Sequence, residues 1–479
     1  MARSRRDRYR PGHVTAATPR PPRSRPRRAL AACLAAVAAA LPLLLARCGD
    51  DTPGKRAPEA PHTSQPNVLV IVMDTVRADH TTLCGYARPT TPRVAQFAAD
   101  GVTYRDAWTP AGWTGPSHAS LFTGQRPVHH GYLEDNIPLL RSQAVTLAEI
   151  LRDAGWRTGC FSNNAVVSDA YGLVQGFEHA PRFFLNQQRP LPNARDAHRR
   201  AKAFIETSVE ERKPFFVYVN DFEPHLPYEP LEEHQRTFVP ADVSPELLHL
   251  ARHFNNPYTI DLNVGLADPV PAPEMLALLP SLYDAEIATV DAEVGAFLDE
   301  LRADGLLDRT LVVITSDHGE NLGDHGLWDH RFSIHRTIRH VPLVLRYPGR
   351  LDGGRVVDDV VRLEDVLPTV LEVCGLPPRA DVDGVSLLAP TAGRISRASY
   401  AAQSDTVQTF RSRHPDLTQE QERPFHVSQR SVYDGRHDLI VRSDGTLELY
   451  DVTADPGETK NLADELPDVV ARLRALLDP

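Results

Sequence analysis

Cysteine is scarce in this chain, with five among 479 residues. Cys33 and Cys48 fall in the first 48 positions; Cys84, Cys160 and Cys374 are odd in number and far apart. That excludes a disulfide framework and a cysteine metal cluster, and the three read as small buried apolar residues. No internal period is present, which excludes solenoids, propellers and coiled coils. Positive charge is short everywhere except at the amino terminus. There, eleven Arg stand against one acid, Asp7, within 48 residues; with that arm removed the net charge goes from −11 to −21. So acidic a body would repel phosphate backbones, which argues against nucleic acid as a partner.

Long apolar runs are lacking too, with one exception. Residues 29–46, ALAACLAAVAAALPLLLA, follow the basic arm without a charge. A basic flank before an apolar core is the form of an export signal or signal anchor, with the arm on the cytoplasmic side. Residues 1–48 therefore read as basic arm plus signal peptide or anchor, and 49–66 as a flexible polar linker. Cys48 stands where a bacterial lipoprotein has its lipidated cysteine, but Arg47 replaces the small residue such sites want. Plain secretion, a retained membrane anchor and a lipoprotein stay open. All three put the body outside the cytoplasm, in the periplasm or at the cell surface.

What is present is an ordinary globular composition, 42% apolar and 24% charged, with room for a sizeable core. Short apolar runs end in polar residues: NVLVIVMD at Asp74, TLVVITSDH at Asp317 and His318, and PFFVYVNDFEPH at His225. RTGCFS and VPLVLRYP are further strand candidates. Amphipathic patterns at 146–155 and 281–305 alternate with them. Such alternation predicts an α/β fold, a large mixed, mostly parallel sheet sandwiched by helices, with ligands at the carboxyl ends of the strands. From about 396 the pattern changes to antiparallel strands and a closing helix, LPDVVARLRALLD. The expected division is a catalytic domain over 67–395 and a smaller C-terminal α+β subdomain over 396–479. Residues 226–280, Pro-rich and irregular, read as a surface excursion or a cap.

The stretch AGWTGPSHASLFTG, 111–124, reads as the opening of a helix. Thr114 is either its cap or a hydroxyl that does chemistry. Asp74, Thr114, Asp317 and His318 together make a mixed oxygen and nitrogen set suited to one divalent cation, Ca, Mn or Zn. A cation on the Thr114 hydroxyl would favour its alkoxide, and a helix N-terminus there would attract an anion.

With these motifs in order, the chain resembles the sulfatase family of the alkaline phosphatase superfamily, from Asn67 to near the C-terminus. NVLVIVMDTVRADHTTLCGY, TGPSHASLFTGQRPVHHG, FFVYVNDFEPHLPY, TSDHGENLGDHGLWDH and LYDVTADPGETKNLA carry the resemblance. It implies an alkaline phosphatase-like fold and an ester hydrolase acting on small anionic esters, glycan- or lipid-linked. It also implies that His225 binds the anion or protonates the leaving group, and that His330 replaces a sulfate-binding Lys. His118 would meet the anion in place of a missing Arg, while Glu320 and His325 would orient His318 or close its turn. Of His129 and His130, at least one would be structural.

The departures from the family pattern bear on mechanism. Sulfatases carry C-x-P-S-R or S-x-P-S-R, whose first residue becomes formylglycine; here the same places read Thr114, Gly115, Pro116, Ser117, His118. Threonine cannot give that aldehyde. A sulfated threonine lacks the second hydroxyl that expels sulfate by C–O cleavage, whereas a phosphorylated threonine is resolved by in-line attack at phosphorus. The expectation is an exported, metal-dependent hydrolase of sulfate or phosphate esters with Thr114 as nucleophile. The alternatives are a phosphotransferase acting on a sugar or lipid, and a non-catalytic binder of anionic glycans.

Overall fold

A computed structural model describes residues 65–132, 139–182, 193–402 and 404–477. The basic arm, the apolar run and nearly all of the linker lie outside these. Glu59–Pro479 form one compact unit. Among the described residues, no helix is long and apolar enough to cross a membrane.

Eight strands make the main sheet: β1 (Asn67–Met73), β2 (Val102–Trp108), β3 (Arg157–Ser162), β4 (Phe215–Asp221), β5 (Thr310–Thr315), β8 (His340–Arg346), β9 (Arg355–Val357) and β10 (Val361–Arg362). A short hairpin of β6 (Asn321–Leu322) and β7 (Trp328–Asp329) lies between β5 and β8. The order is β10-β2-β8-β5-β1-β4-β3, with β9 beside β2. β3, β4, β1 and β5 run parallel. β8 is antiparallel to both its neighbours.

Every residue of β1 is buried, because both faces of the sheet are covered. Leu69, Ile71 and Met73 meet the helices Asn193–Glu210 and Leu279–Ala303, while Val68, Val70 and Val72 meet Thr114–Thr123 and Val366–Val373. A strand apolar on both sides is what a parallel sheet between two helix layers requires. Thr146 caps the helix Leu147–Asp153 with a reciprocal Thr–Glu149 box.

The second sheet is antiparallel, β11 (Ser396–Tyr400), β12 (Gln429–Tyr433), β13 (His437–Arg442) and β14 (Leu447–Asp451), in that order. The helix Pro467–Arg474 packs on it through Val470 and Leu473. Its other face meets the main body: Tyr433 stacks on Trp108, and Arg339, itself over the Trp108 ring, pairs with Asp438 in the interior.

Two readings of the sequence need correction here. Residues 226–280 are not irregular; they hold the helices Glu232–Phe238, Pro245–Arg252, Asn256–Asn263 and Pro273–Leu276. Proline opens the last three from the first turn, where its missing N–H costs nothing. Of the cysteines, Cys160 is buried, but Cys84 and Cys374 are half-buried; all three are free thiols.

Candidate active site

Register brings the polar strand ends together. Met73 is paired with Asp221 and Val72 with Thr315, so β4, β1 and β5 stop level. Asp74 follows β1, Asp317 and His318 follow β5, and all three are fully buried. One oxygen or nitrogen from each lies within 4.8 Å of the others.

Asp74 Oδ2 accepts from Asn164 Nδ2 at 2.8 Å and Asn220 Nδ2 at 3.2 Å. Asp317 Oδ1 accepts from the backbone N–H of Thr75 and His318. The other oxygens, Asp74 Oδ1 and Asp317 Oδ2, are buried with no hydrogen-bond partner, as is Thr75 Oγ1. Burial first, and then the Asp317 charge, raise the Asp74 pKa. Thr75 itself has φ of 59°, a left-handed backbone that a β-branched residue rarely adopts and that clusters at functional sites. His318 Nδ1 lies 2.9 Å from the Gly319 carbonyl. That oxygen can only accept, so Nδ1 carries the hydrogen and Nε2 presents a lone pair. Burial, and after it the His330 charge, hold this ring neutral. Two orphaned carboxylate oxygens and an imidazole lone pair are a donor set that fits one divalent cation.

Thr114 is the first residue of a ten-residue helix whose N-cap is Trp113, and no side chain caps that end. Its hydroxyl instead stands 3.3 Å from His318 Nε2 and 3.3 Å from Asn164 Nδ2. It is thus free of the capping role that the sequence left open. Gly115 is needed because a Cβ there would lie 2.4 Å from the Tyr132 ring. Gly319 is needed because a Cβ would lie 2.0 Å from the Thr337 carbonyl, and its N–H bonds Ile338 O.

His330 borders the set, its ring 4.4 Å from that of His318 and 5.2 Å from that of His225. Its Nδ1 contacts Asp329 Oδ1 at 2.8 Å and Glu320 Oε1 at 3.1 Å. Burial alone would lower its pKa; the two carboxylates outweigh that and push it up to about 10, so the ring is a cation. His225 is half-buried, stacked on Phe222, with its Nδ1–H donated to Leu226 O. Its Nε2 is left for the site.

Other positions move. His118 has no nitrogen for an anion: Nδ1–H donates to Thr114 O, and Nε2 accepts from Tyr218 OH. It supports the Thr114 helix from within. Glu320 holds His330 and not His318. His325 is elsewhere, its ring 3.7 Å from that of His335 near Glu458. His129 pairs with Asp383, and His130 is buried against Ser120. Sequence reasoning missed Asn164, Asn220, Asp329 and Tyr218. Asn164, Asn220 and Asp329 lie on or just beyond a strand end, the signal that would have found them, whereas Tyr218 sits in the middle of β4 and carried none.

The sulfatase family model matches residues 66–376, and that of the "N-sulphoglucosamine sulphohydrolase, C-terminal" region matches 323–478. The chain belongs to the sulfatase family. As a sulfatase-family member it is an ester hydrolase. Arylsulfatase K of Rattus norvegicus is 26% identical over 448 residues, covering 85% of this chain and 76% of the relative. The N-acetylglucosamine-6-O-sulfatase of Bacteroides thetaiotaomicron is 24% identical over 69% of this chain and 71% of its own. Among solved structures, one in complex with its substrate D-glucosamine-2-N,6-O-disulfate superposes with a TM-score of 0.68 at 20% identity, covering 86% of this chain and 97% of that one. The phosphonate monoester hydrolase of Silicibacter pomeroyi superposes equally well, TM-score 0.68 at 23% identity, over 86% and 94%. These likenesses establish the alkaline phosphatase-like fold of this sulfatase-family chain.

Proposed function

We propose that this protein is an exported hydrolase of phosphorus esters built on a sulfatase frame, with Thr114 as nucleophile and a small anionic, sugar-linked ester as substrate. The observation that carries the reading is the Thr114 hydroxyl. It caps nothing, and it stands between His318 Nε2 and Asn164 Nδ2 beside two orphaned carboxylate oxygens. Export rests on the basic arm and apolar run. The sugar-linked ester is suggested by the glucosamine disulfate and N-acetylglucosamine sulfate named for two of the relatives.

Asp74, Asp317, His318 and Thr114 Oγ1 would hold a divalent cation, which supplies positive charge that favours the Thr114 alkoxide. Asn164 keeps the Thr114 oxygen facing the substrate. The His330 cation and the positive end of the Thr114–Thr123 helix bind the ester's anionic oxygens. Thr114 Oγ1 releases its proton to solvent and bonds to phosphorus while the phosphorus–leaving-group bond breaks, and the departing oxygen takes a proton relayed from solvent through His225 Nε2. Water then attacks phosphorus in line, the Thr114–phosphorus bond breaks, and the hydroxyl is restored. At sulfur the second step has no such ready route, since threonine lacks a second hydroxyl to expel sulfate.

The test assays the full chain and Thr114→Val on p-nitrophenyl phosphate, its bis-ester, a phenylphosphonate ester and p-nitrophenyl sulfate, each with Mn, Zn and Ca. Turnover of phosphorus esters that vanishes with the hydroxyl is the expected result. Thr114-dependent turnover of sulfate alone would refute the choice of phosphorus. Silence on every substrate, with no metal retained, would point to a binding protein.

A further inference from the structure

Tyr218 is fully buried at the middle of β4, between Val70 of β1 and Cys160 of β3. Its side chain lies on the face of the sheet that meets the Thr114–Thr123 helix. His118 fills the space between strand and helix. Its ring meets those of Tyr218 and Phe122 edge-on, at centroid distances of 5.8 and 5.9 Å, and Phe122 meets Tyr218 at 4.9 Å. Such packing fixes the plane of the imidazole.

Hydrogen bonds fix its direction. The Thr114 carbonyl can only accept, so His118 Nδ1 carries the hydrogen of their 2.9 Å bond and Nε2 holds a lone pair. Tyr218 donates to that lone pair at 2.5 Å, and among the described residues Nε2 has no other partner. Burial foremost holds the phenol well above its ordinary pKa, so it keeps the hydrogen it gives. Two hydrogen bonds thus run from the centre of the sheet to the backbone of Thr114. The same helical turn is tied to the other side of the site. Ser117 Oγ donates to the Asp317 carbonyl at 2.6 Å, and His118 Nδ1 passes 3.4 Å from Asp317 Oδ2. Without the phenol hydrogen, Nε2 would be a buried acceptor with nothing to receive. That costs more than the bond itself contributes, and a turn of the ring away from Thr114 would relieve it.

We propose that Tyr218 is a positioning residue for the reaction at Thr114: through His118 it fixes the Thr114 backbone, and with it the direction of the Thr114 hydroxyl. The inference rests on the reading of Thr114 as nucleophile. Tyr218 lies beneath the helix and makes no contact with substrate, so its effect falls on kcat and not on KM.

Steady-state kinetics on a phosphorus ester at equal metal loading, with a thermal melt to confirm folding, test it. Tyr218→Phe keeps the ring and loses the hydroxyl; kcat falls on the order of tenfold while KM stays within about twofold. His118→Asn keeps an N–H near the place of Nδ1 but has nothing to receive the phenol, so in that background Tyr218→Phe changes kcat by less than about twofold. His118→Asn also retains more kcat than His118→Leu, a comparison that stands if Tyr218→Phe fails to fold. A Tyr218→Phe kcat within about twofold of wild type, an equal fall in both backgrounds, a rise in KM alone, or equal kcat in the Asn and Leu variants overturns the proposal. Thr114→Val, assayed alongside, separates the two failures: it is inactive if only the role of Tyr218 is wrong, and it retains turnover if the nucleophile is misassigned. Silence of the wild type on every ester overturns both.

Discussion

Asn164 is the most informative single substitution in the site. Its Nδ2 donates to Asp74 Oδ2 at 2.8 Å and reaches Thr114 Oγ1 at 3.3 Å, while its Oδ1 accepts from Val166 N at 2.9 Å. One amide thus fixes a carboxylate and the hydroxyl, and is itself fixed by the backbone. Asn164→Ala removes all three bonds. A hydrogen bond to a charged group contributes about 1.5–3 kcal/mol, and each 1.4 kcal/mol is tenfold in rate, so kcat/KM on a phosphorus ester falls about 10- to 150-fold. The longer contact to Thr114 adds little energy of its own; its effect is to hold the oxygen's direction, and so belongs to kcat and not to KM. The assay is steady-state kinetics at equal metal loading, with a thermal melt to confirm folding. In a Thr114→Val background the same change has a smaller effect on any residual turnover, because Asn164 then supports Asp74 alone. An Asn164→Ala enzyme within threefold of wild type would refute the reasoning.

Two further predictions follow from buried imidazoles. His330→Gln removes the cation between Asp329 and Glu320, lowering stability by on the order of 3–5 kcal/mol and kcat/KM by at least about tenfold, whereas His330→Lys keeps the charge and retains more of both; equal losses in the two variants would sink the cationic role. His130 and His340 are held neutral chiefly by burial, each pushed down to about 3 from 6.5. Their contribution is whole above pH 6.5 and is lost as pH falls towards 3, by about 1.4 kcal/mol per pH unit for each ring. The stability gap between wild type and His340→Gln, read from urea unfolding, should therefore shift by about 2 kcal/mol in the variant's favour between pH 7 and pH 5; a constant gap would show that the ring does not titrate on unfolding.

The sheet was legible because its central strands are apolar on both faces, and Asp74, Asp317 and His318 were legible because each interrupts such a run at its carboxyl end. Thr114 was half legible: the Gly-Pro after it announced a helix, but only the structure shows Trp113 at the cap position. Asn164 was not legible. Its partner Asp74 is 90 residues away, and asparagines after a strand read as loop. His118 was misread because its helix turns that face inward, onto Tyr218. In 226–280 proline was taken as a breaker where it opens helices, and β11 went unseen because SRASY has too little apolar character to stand out.

The loop that carries His330 is held from the far end of the chain. Phe332 N–H donates to Tyr400 OH, Gln429 donates to Phe332 O, His335 bonds Glu448, Arg336 N–H bonds Glu458, and Arg339 pairs with Asp438. Every one of those anchors is made after residue 395, so a growing polypeptide has Thr114, Asp74, Asp317 and His318 before it has the contacts that hold the His330 loop. Order in the His330 loop therefore waits on strands synthesised after it, and a protease that clips the second sheet would loosen that loop without touching Asp74, Thr114, Asp317 or His318.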